Sequence, residues 1–510
     1  MKDRMAEPVQ ILLNMEENQM TQTITIGDTA GDELLRIKEQ LKTETYPNIE
    51  HVVTEKNSQQ ERSSSTDANS SLCSNGPIEI ESAATIDAAR LQQKRLIAEL
   101  SELEMEKRWK DILTLAHPLG EKYPLLQEME LDLEINRKIG FALIRCNRPH
   151  DAMKLFKSLL KTNEHDFLAH YSLAYAAYDM LYKNKNKELL LSSKEKKQCI
   201  QTAHEHFSIC SKLRPDSVTV LYRQAMLYKE IEDKPKKAIP LFEKAISNWE
   251  ALGSEEKAKR HQERPKYIRS LYHLASCLLR LSLTNRALEL LQKLLKEDEA
   301  TGFISGVFKQ FALGKTLFRM GRYSESLDHL KTAAAMSGKN VPDFIRELTA
   351  GCLLMLDKPE QALIEVNKIP EKHMRPYVRW RKADILVALD KHEEAILTLE
   401  KALDRDGNSR HKTLLRMARI HYSQSNFDKA LSCAKRAGQF FQKRYGNKLE
   451  EATFLTALCH LGKGNCTMAK SILESLSMQG FSCPGFRKAL LKAKEACGNR
   501  LATNTITLKH

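Results

Sequence analysis

The chain has 510 residues, enough for several ordinary domains or one long array, and an aromatic content of only 6% with few glycines and prolines favours helix. No run of 18 or more apolar residues occurs, so the sequence predicts no membrane span. Residues 1–85 hold 7 Lys/Arg and 15 Asp/Glu, whereas the rest holds 73 and 51, so an acidic head precedes a basic body. The 11 cysteines form no C-x-x-C pair, which indicates reduced thiols and a cytoplasmic protein.

The first segments of the chain are predicted to lack a packed core. Residues 1–55 form a weakly structured acidic head, in which only residues 32–41 have the pattern of a short amphipathic helix. Residues 56–83 form a Ser-rich disordered linker, because their polar composition cannot bury enough surface to offset chain entropy. The opposite charges of head and body raise the hypothesis that the head folds back onto the body.

A helical repeat begins beyond residue 84. Seven segments share a small residue that is followed by an apolar residue four positions later and another three after that. The small residues are Ala152, Ala238, Ala287, Ala362, Ala395, Ala430 and Ala469. A second set of small residues lies 12 positions before the small position of such segments, each in its own helical run. These are Gly140, Ala275, Gly314, Ala350, Ala383, Ala418 and Ala457.

This spacing predicts pairs of short helices with small residues at the contact. The i, i+4, i+7 pattern places one stripe on one helical face, and a turn separates the two helices of each pair. One hairpin cannot bury its outer apolar face alone, so successive hairpins must stack.

The pattern resembles the tetratricopeptide repeat family. The resemblance implies an all-α fold, a right-handed α-solenoid of about ten helix hairpins over residues 84–482. Residues 483–500 then read as a capping helix and residues 501–510 as a tail.

Gly314-Lys315-Thr316 reads like the end of a phosphate-binding loop, but the pattern is incomplete. The loop requires another glycine where this chain has Lys309. Gly314 is therefore predicted to be the small contact residue of a first helix, with Ser326 at the matching position of the second.

No motif points to an enzyme, a metal site or a cofactor. His204 and His206 are two residues apart and diverge around a helix, which does not suit one metal ion. Cys459 and His460 are adjacent in a helix and diverge as well. We therefore expect no catalytic residue, no metal and no cofactor.

The resemblance implies that one face of the first helices binds a peptide. With each small residue as position 8, the face has positions 2, 5, 9 and 12. The predicted groove residues are Tyr222, Met226, Arg269, Tyr272, Phe308, Phe311, Lys315, Phe318, Tyr377, Trp380, Lys412, Arg419 and Tyr422. Aromatic anchors beside cations suit a partner protein with an acidic or amphipathic segment. The alternative is that these rings pack between neighbouring first helices.

Residues 408–448 hold ten Lys/Arg and only Asp428 as an acid, which raises nucleic-acid binding as a second reading. Tyr422 and Tyr445 are the candidates for base stacking. The favoured function is a protein-interaction scaffold or adaptor. The alternatives are a basic solenoid that binds RNA or another polyanion, and a regulatory subunit of an enzyme complex.

Overall fold

The computed structural model describes the backbone of residues 78–507 and the side chains of residues 85–497. The predicted acidic head and nearly all of the predicted linker lie outside these residues. Residues 78–507 form 24 α-helices and no strand, so the predicted all-α class is confirmed. Within the described part of the chain, no helix has the length and apolar content needed to cross a membrane.

The chain divides into two compact units, of which one ends at Cys277 and the other begins at Leu278. The division falls within helix α12. Each unit has hydrophobic clusters of its own. In the N-terminal unit, Ile139 and Phe156 belong to one cluster, and in the C-terminal unit Leu399 and Phe454 belong to another.

The N-terminal unit is built from helices that pack in sequential pairs. Its three clear hairpins are α5 with α6, α7 with α8, and α9 with α10. The helices are α1 (Ile78–Met105), α2 (Trp109–Ala116), α3 (Leu119–Lys122), α4 (Pro124–Glu128), α5 (Leu133–Arg145), α6 (Pro149–Thr162), α7 (Phe167–Lys185), α8 (Ser193–Leu213), α9 (Val218–Met226), α10 (Pro235–Glu250), α11 (Ser254–Lys259) and α12 (Arg264–Arg280). A π-helical turn, Leu227–Ile231, extends α9.

The C-terminal unit continues with five hairpins, from α14 with α15 to α22 with α23. Each first helix also contacts the first helix of the next hairpin, so the hairpins stack in sequence within this unit. The helices are α13 (Thr284–Glu297), α14 (Gly306–Arg319), α15 (Tyr323–Met336), α16 (Asp343–Met355), α17 (Pro359–Asn367), α18 (Pro376–Ala388), α19 (His392–Arg405), α20 (Arg410–Ser423), α21 (Phe427–Tyr445), α22 (Glu450–Gly462), α23 (Cys466–Met478) and α24 (Phe486–Thr507).

The small residues do what the repeat pattern predicts. A Cβ atom added to Gly140 would lie 2.4 Å from the Phe156 ring, and one added to Gly314 would lie 2.9 Å from Leu330 Cγ. Phe156 lies on α6, the second helix of the hairpin that contains Gly140, and Leu330 lies on α15, the second helix of the hairpin that contains Gly314. A larger residue at either glycine would push the two helices apart, because core packing leaves no spare volume there.

The turns inside the five hairpins of the C-terminal unit share a left-handed residue two positions before the second helix begins. In the C-terminal unit, Asp357, Asp390 and Ser425 have φ of 56°, 60° and 62°. The next residue then donates to a carbonyl five residues back, as from the Lys391 amide to the Leu386 oxygen at 2.8 Å. This Schellman geometry ends the first helix and turns the chain into the second.

The ends of the array differ slightly from the prediction. Helix α1 begins at Ile78, inside the predicted linker, and α24 extends past residue 500 to Thr507. Phe486, Ala489 and Ala493 of α24 are buried in the cluster that also contains Leu476 of α23. Helix α24 therefore packs against the apolar side of the last hairpin.

Candidate partner-binding face of the first helices

The predicted groove residues all lie on first helices, but they divide between the two units. Tyr222, Met226, Arg269 and Tyr272 lie in the N-terminal unit, and the other nine lie on α14, α18 and α20 of the C-terminal unit. The predicted groove residues therefore belong to two separate faces, one in each unit.

Burial removes three residues from the predicted groove. Tyr222 is 4% exposed, Met226 8% and Phe308 6%. Tyr222 packs against Phe242, with ring centroids 6.2 Å apart. The prediction that these three side chains offer contact area needs correction, since each is taken up by packing inside its unit.

Other aromatic residues of the predicted set are half-buried between helices. Phe311 packs edge-to-face on Phe344 of α16 with centroids 4.6 Å apart. Phe318 contacts Tyr323, and Tyr422 contacts Phe427, at 5.3 and 5.7 Å. The surroundings of these three rings therefore agree largely with the alternative reading, in which the aromatic residues pack between helices.

Four more residues of the predicted groove are half-buried, namely Arg269, Tyr272, Lys315 and Tyr377. Arg269 and Tyr272 lie on α12, with the Tyr272 ring centroid 5.4 Å from that of His273. Lys315 lies on α14, with Nζ 5.9 Å from the Phe311 centroid. Tyr377 lies on α18 and packs against the cluster around Val378.

Trp380 of α18 is the centre of the most distinctive cluster in the C-terminal unit. Its Nε1–H donates to Thr413 Oγ1 of α20 at 2.8 Å. Lys412 Nζ and Arg416 Cζ of α20 lie 5.8 and 5.1 Å from the centroid of the Trp380 ring. We call Trp380, Lys412, Thr413 and Arg416 the Trp380 cluster. It holds a half-buried indole beside two cations, which is a cation–π arrangement.

A row of ion pairs joins successive first helices beside this cluster. Arg381 Nε of α18 lies 2.9 Å from Glu347 Oε1 of α16, and Arg416 Nε of α20 lies 3.3 Å from Asp384 Oδ1 of α18. Arg419 of α20 pairs with Glu451 of α22. The prediction that Arg419 selects an acidic partner needs correction, because its guanidinium already has an internal carboxylate.

Gly351 makes room for this row. A Cβ atom there would lie 3.0 Å from Arg381 Cζ, whose guanidinium also lies 5.7 Å from the Phe318 ring centroid. Because Gly351 has no side chain, the guanidinium of Arg381 can approach α16 closely at this point.

The electrostatic environment of the Trp380 cluster is positive. Burial, with the charge of Arg416 as the second cause, lowers the pKa of Lys412 to about 8, and the charge of Asp406 opposes the shift. Burial and the charge of Lys412 lower the pKa of His411 to about 4. Burial is thus the main cause of both shifts, and the neighbouring positive charges add to it.

Several residues of this face are missing from the predicted set. Four residues at positions of the predicted face do not belong to that set: Phe344, Glu347, Asp384 and Glu451. Three of them are acids, whereas the predicted set contains mainly aromatic and cationic residues. Arg381 and Arg416 lie two residues before Ala383 and Ala418. That recurrence in consecutive first helices is the signal that could have found them.

The first-helix face of the N-terminal unit carries a tyrosine stripe. Tyr171, Tyr175 and Tyr178 stack along α7 with centroid separations of 6.3 and 6.5 Å. The guanidinium of Arg223 from α9 lies 5.1 Å from the Tyr175 centroid. Arg223 and most of this stripe are buried, so the stripe is interpreted as packing between first helices.

The histidines and cysteines show no catalytic arrangement in the described part of the chain. His204 contacts Glu232 and His206 contacts His170, so the two imidazoles of the H-E-H segment have separate partners. Burial raises the pKa of Cys210 and Cys459 to about 12, which makes both poor nucleophiles. Among residues 85–497, no three His, Cys, Asp or Glu side chains converge as metal ligands.

Comparisons with known proteins point to one repeat family. Models described as tetratricopeptide repeat match residues 269–299 and 377–409. The second match covers α18 and α19, and so includes Trp380. No curated protein matches the chain.

Solved structures offer only distant likenesses. A tetratricopeptide repeat protein from Parabacteroides merdae is 15% identical, with 57% of this chain and 99% of that chain covered and a TM-score of 0.41. Yeast Tom70 is 14% identical, with 81% and 96% covered and a TM-score of 0.37. A human IFIT1 dimer with PPP-AAAA is 15% identical, with 78% and 89% covered and a TM-score of 0.36. At this level of likeness, none of them bears on what this chain binds.

Proposed function

We propose that this chain, two segments of which match models of the tetratricopeptide repeat, is a scaffold or adaptor, because proteins of that family generally mediate binding between proteins. It holds a partner protein on the first-helix face of its C-terminal unit. The partner contributes an amphipathic segment, with an apolar side chain on the Trp380 ring and an adjacent Asp or Glu near Lys412.

The Trp380 cluster is the observation that carries this proposal. A half-buried indole offers apolar area, and its bond to Thr413 fixes the orientation of the ring before a partner arrives. A fixed ring loses little rotamer entropy on binding, which favours Trp as an anchor residue.

The chemistry of the cluster selects the partner. Lys412 Nζ lies 5.8 Å from the centroid of the Trp380 ring, and the guanidinium of Arg416 beside it is paired with Asp384. A carboxylate placed near Lys412 would gain attraction to its ammonium group, whereas a Lys or Arg there would be repelled. The neighbouring ion pairs of Arg381 and Arg419 keep the helices in register around the cluster.

Selection from a displayed library of random peptides tests the proposal even though the partner is unidentified. The immobilised full chain should enrich peptides in which Asp or Glu flanks an aromatic or aliphatic residue. Trp380→Ala and Lys412→Glu should each weaken binding of the enriched peptides at least tenfold. Leu397→Ala is the matched control, because Leu397 is 59% exposed on α19, outside this face.

A conservative variant guards against loss of folding as an explanation. Thr413→Val removes the acceptor of the Trp380 bond but keeps the side-chain shape, and should weaken peptide binding by loosening the ring. If a folded Trp380→Ala chain binds the enriched peptides as tightly as the natural one, the cluster is not the anchor.

A further inference from the structure

The first helices of the C-terminal unit are basic as a group. Helices α14, α16, α18, α20 and α22 hold 11 Lys/Arg and 5 Asp/Glu, and the excess is concentrated on α14 and α20, which have seven cations and no acid. Three of the five acids, Glu347, Asp384 and Glu451, contact arginines of the same face. The first-helix face therefore favours an occupant that carries carboxylates over one that carries cations.

Within this basic face, the Trp380 cluster selects a local pattern of residues. The indole is half-buried and is held by its bond to Thr413, and Lys412 Nζ lies 5.8 Å from the ring centroid. The ring and the ammonium group thus lie side by side on one surface. An occupant that uses both needs an apolar side chain with a carboxylate one or two positions away, since neighbouring Cα atoms are about 3.8 Å apart.

The acidic head of this chain contains such a pattern. Residues 9–17 read Val-Gln-Ile-Leu-Leu-Asn-Met-Glu-Glu, in which five apolar residues precede Glu16 and Glu17. The wider segment of residues 5–35 holds 6 Asp/Glu and no Lys or Arg. Residues 9–17 lie outside the part of the chain that the structure describes, and their chemistry is complementary to the Trp380 cluster in both apolar area and charge.

The other amphipathic segment of the head matches this face less well. Residues 32–41 contain Asp32, Glu33 and Glu39, but also Arg36 and Lys38. Each apolar residue of this segment has a Lys or Arg within two positions along the chain. An apolar side chain from this segment on the Trp380 ring would therefore bring a cation toward Lys412, which is repulsive.

The length of the connecting chain permits contact between the head and the C-terminal unit. From Glu17 to Ile78, the first residue of α1, the chain spans up to about 200 Å when extended, at about 3.3 Å per residue. A tethered segment has an effective concentration on the order of 0.1 mM, which exceeds that of a second copy of the chain at micromolar concentration. The tether therefore favours a contact within one molecule.

We propose that residues 9–17 dock on the Trp380 cluster of the same molecule, with Met15 on the Trp380 ring and a carboxylate of Glu16 or Glu17 near Lys412. This inference rests on the proposed function, because the head and the partner protein compete for the same ring and the same ammonium group. The head thereby acts as an inhibitor of partner binding. If the face is open in about one molecule in ten, the apparent affinity for a partner is about tenfold lower than that of the open face.

Fluorescence anisotropy with the full chain and a labelled synthetic peptide of residues 5–20 tests the contact. In the natural chain the tethered head competes with the peptide. Glu16→Lys with Glu17→Lys in the chain should therefore raise its affinity for the natural peptide about tenfold. Glu33→Lys with Glu39→Lys is the matched control, because it changes the net charge of the head equally within residues 32–41, and it should leave the affinity unchanged.

A second set of variants locates the contact on the Trp380 cluster. Lys412→Gln, added to the chain with Glu16→Lys and Glu17→Lys, should weaken binding of the natural peptide by about fivefold or more. Leu397→Ala in the same chain should have no effect, since Leu397 is exposed on α19 outside this face. A peptide that itself carries Glu16→Lys and Glu17→Lys should not bind. Circular dichroism confirms that each variant is folded.

Three results would overturn the inference. The first is equal affinity of the natural chain and of the chain with Glu16→Lys and Glu17→Lys for the peptide, and the second is an equal gain from the control pair. The third is a natural chain that light scattering shows to be a dimer while the head variant is a monomer, because the head would then join two molecules. The proposed function fails separately, when Trp380→Ala leaves binding of the library-derived peptides unchanged.

Discussion

The hydroxyl of Ser326 donates to the carbonyl oxygen of Gly314 at 2.7 Å, across the contact between α14 and α15. Ser326 is fully buried, and its Oγ also lies 3.1 Å from Cys352 Sγ of the next hairpin. The glycine that resembles part of a phosphate loop is instead the point at which two helix backbones meet. It lies inside a helix, so no loop exists there to surround a phosphate.

Gly314→Ala should destabilise the chain by about 1–3 kcal/mol, because the added methyl would overlap Leu330 and lie 3.2 Å from the Ser326 carbonyl. Urea unfolding followed by circular dichroism measures the change. Gly407→Ala is the control, since a Cβ atom there meets nothing within 4 Å. Equal midpoints for the two variants would contradict the close-contact role.

Asp357→Gly should stabilise the C-terminal unit by about 0.5–1 kcal/mol. Asp357 has φ of 56°, a left-handed conformation that glycine adopts without steric penalty. The neighbouring Lys358→Gly should be neutral or destabilising, because Lys358 has φ of −125°. Thermal unfolding of both variants gives the comparison, and a lower midpoint for Asp357→Gly would refute the backbone argument.

The buried pair of Asp298 and Lys309 should be far more sensitive to loss of one partner than of both. Lys309 Nζ lies 3.0 Å from Asp298 Oδ2, and the carboxylate also accepts from the amides of Phe303 and Ile304. Lys309→Met alone leaves a buried charge and should destabilise by about 3–5 kcal/mol. Lys309→Met with Asp298→Asn should recover part of that loss.

Urea midpoints of the two single variants and the double variant provide this cycle. The exposed Lys358→Met serves as the control for the change of residue type. Additive effects would show that the pair does not act as a unit.

Lys412 should make stability rise with pH above 8. Its folded pKa is about 8, below the ordinary lysine value of 10.5, so between these values the unfolded chain binds the additional proton. Stability therefore increases as pH rises through that window and is unaffected by this group below it. Lys412→Met should be the more stable protein near neutral pH, and its advantage should shrink as the pH approaches 10.5. Urea unfolding at a series of pH values measures both proteins, and a pH-independent difference between them would contradict the lowered pKa.

The hairpins could be predicted well from the sequence because the signal for them is local. Ala383 and Ala395 are 12 residues apart and meet within one hairpin, so their spacing alone encodes the contact. The apolar residue four positions later, such as Leu399, lies on the same helical face for purely geometric reasons.

The binding face could not be predicted as well, because it depends on contacts between hairpins. Arg419 has the position of an available cation, but Glu451 lies 32 residues further along the chain and neutralises it. Tyr222 has the position of an anchor, but His273 and Phe242 fill its surroundings. A helical wheel assigns each side chain a face, but does not show which residue of the next helix will cover it.

The row of ion pairs fixes the order of the hairpins. The hairpin of α20 and α21 presents arginine on both sides, Arg416 toward Asp384 and Arg419 toward Glu451. A tandem duplication of this hairpin would set Arg419 of the first copy against Arg416 of the second, two half-buried cations without the acid that each contacts here. This segment can therefore be neither repeated nor moved without a compensating acid, so the array cannot lengthen at this point by simple copying.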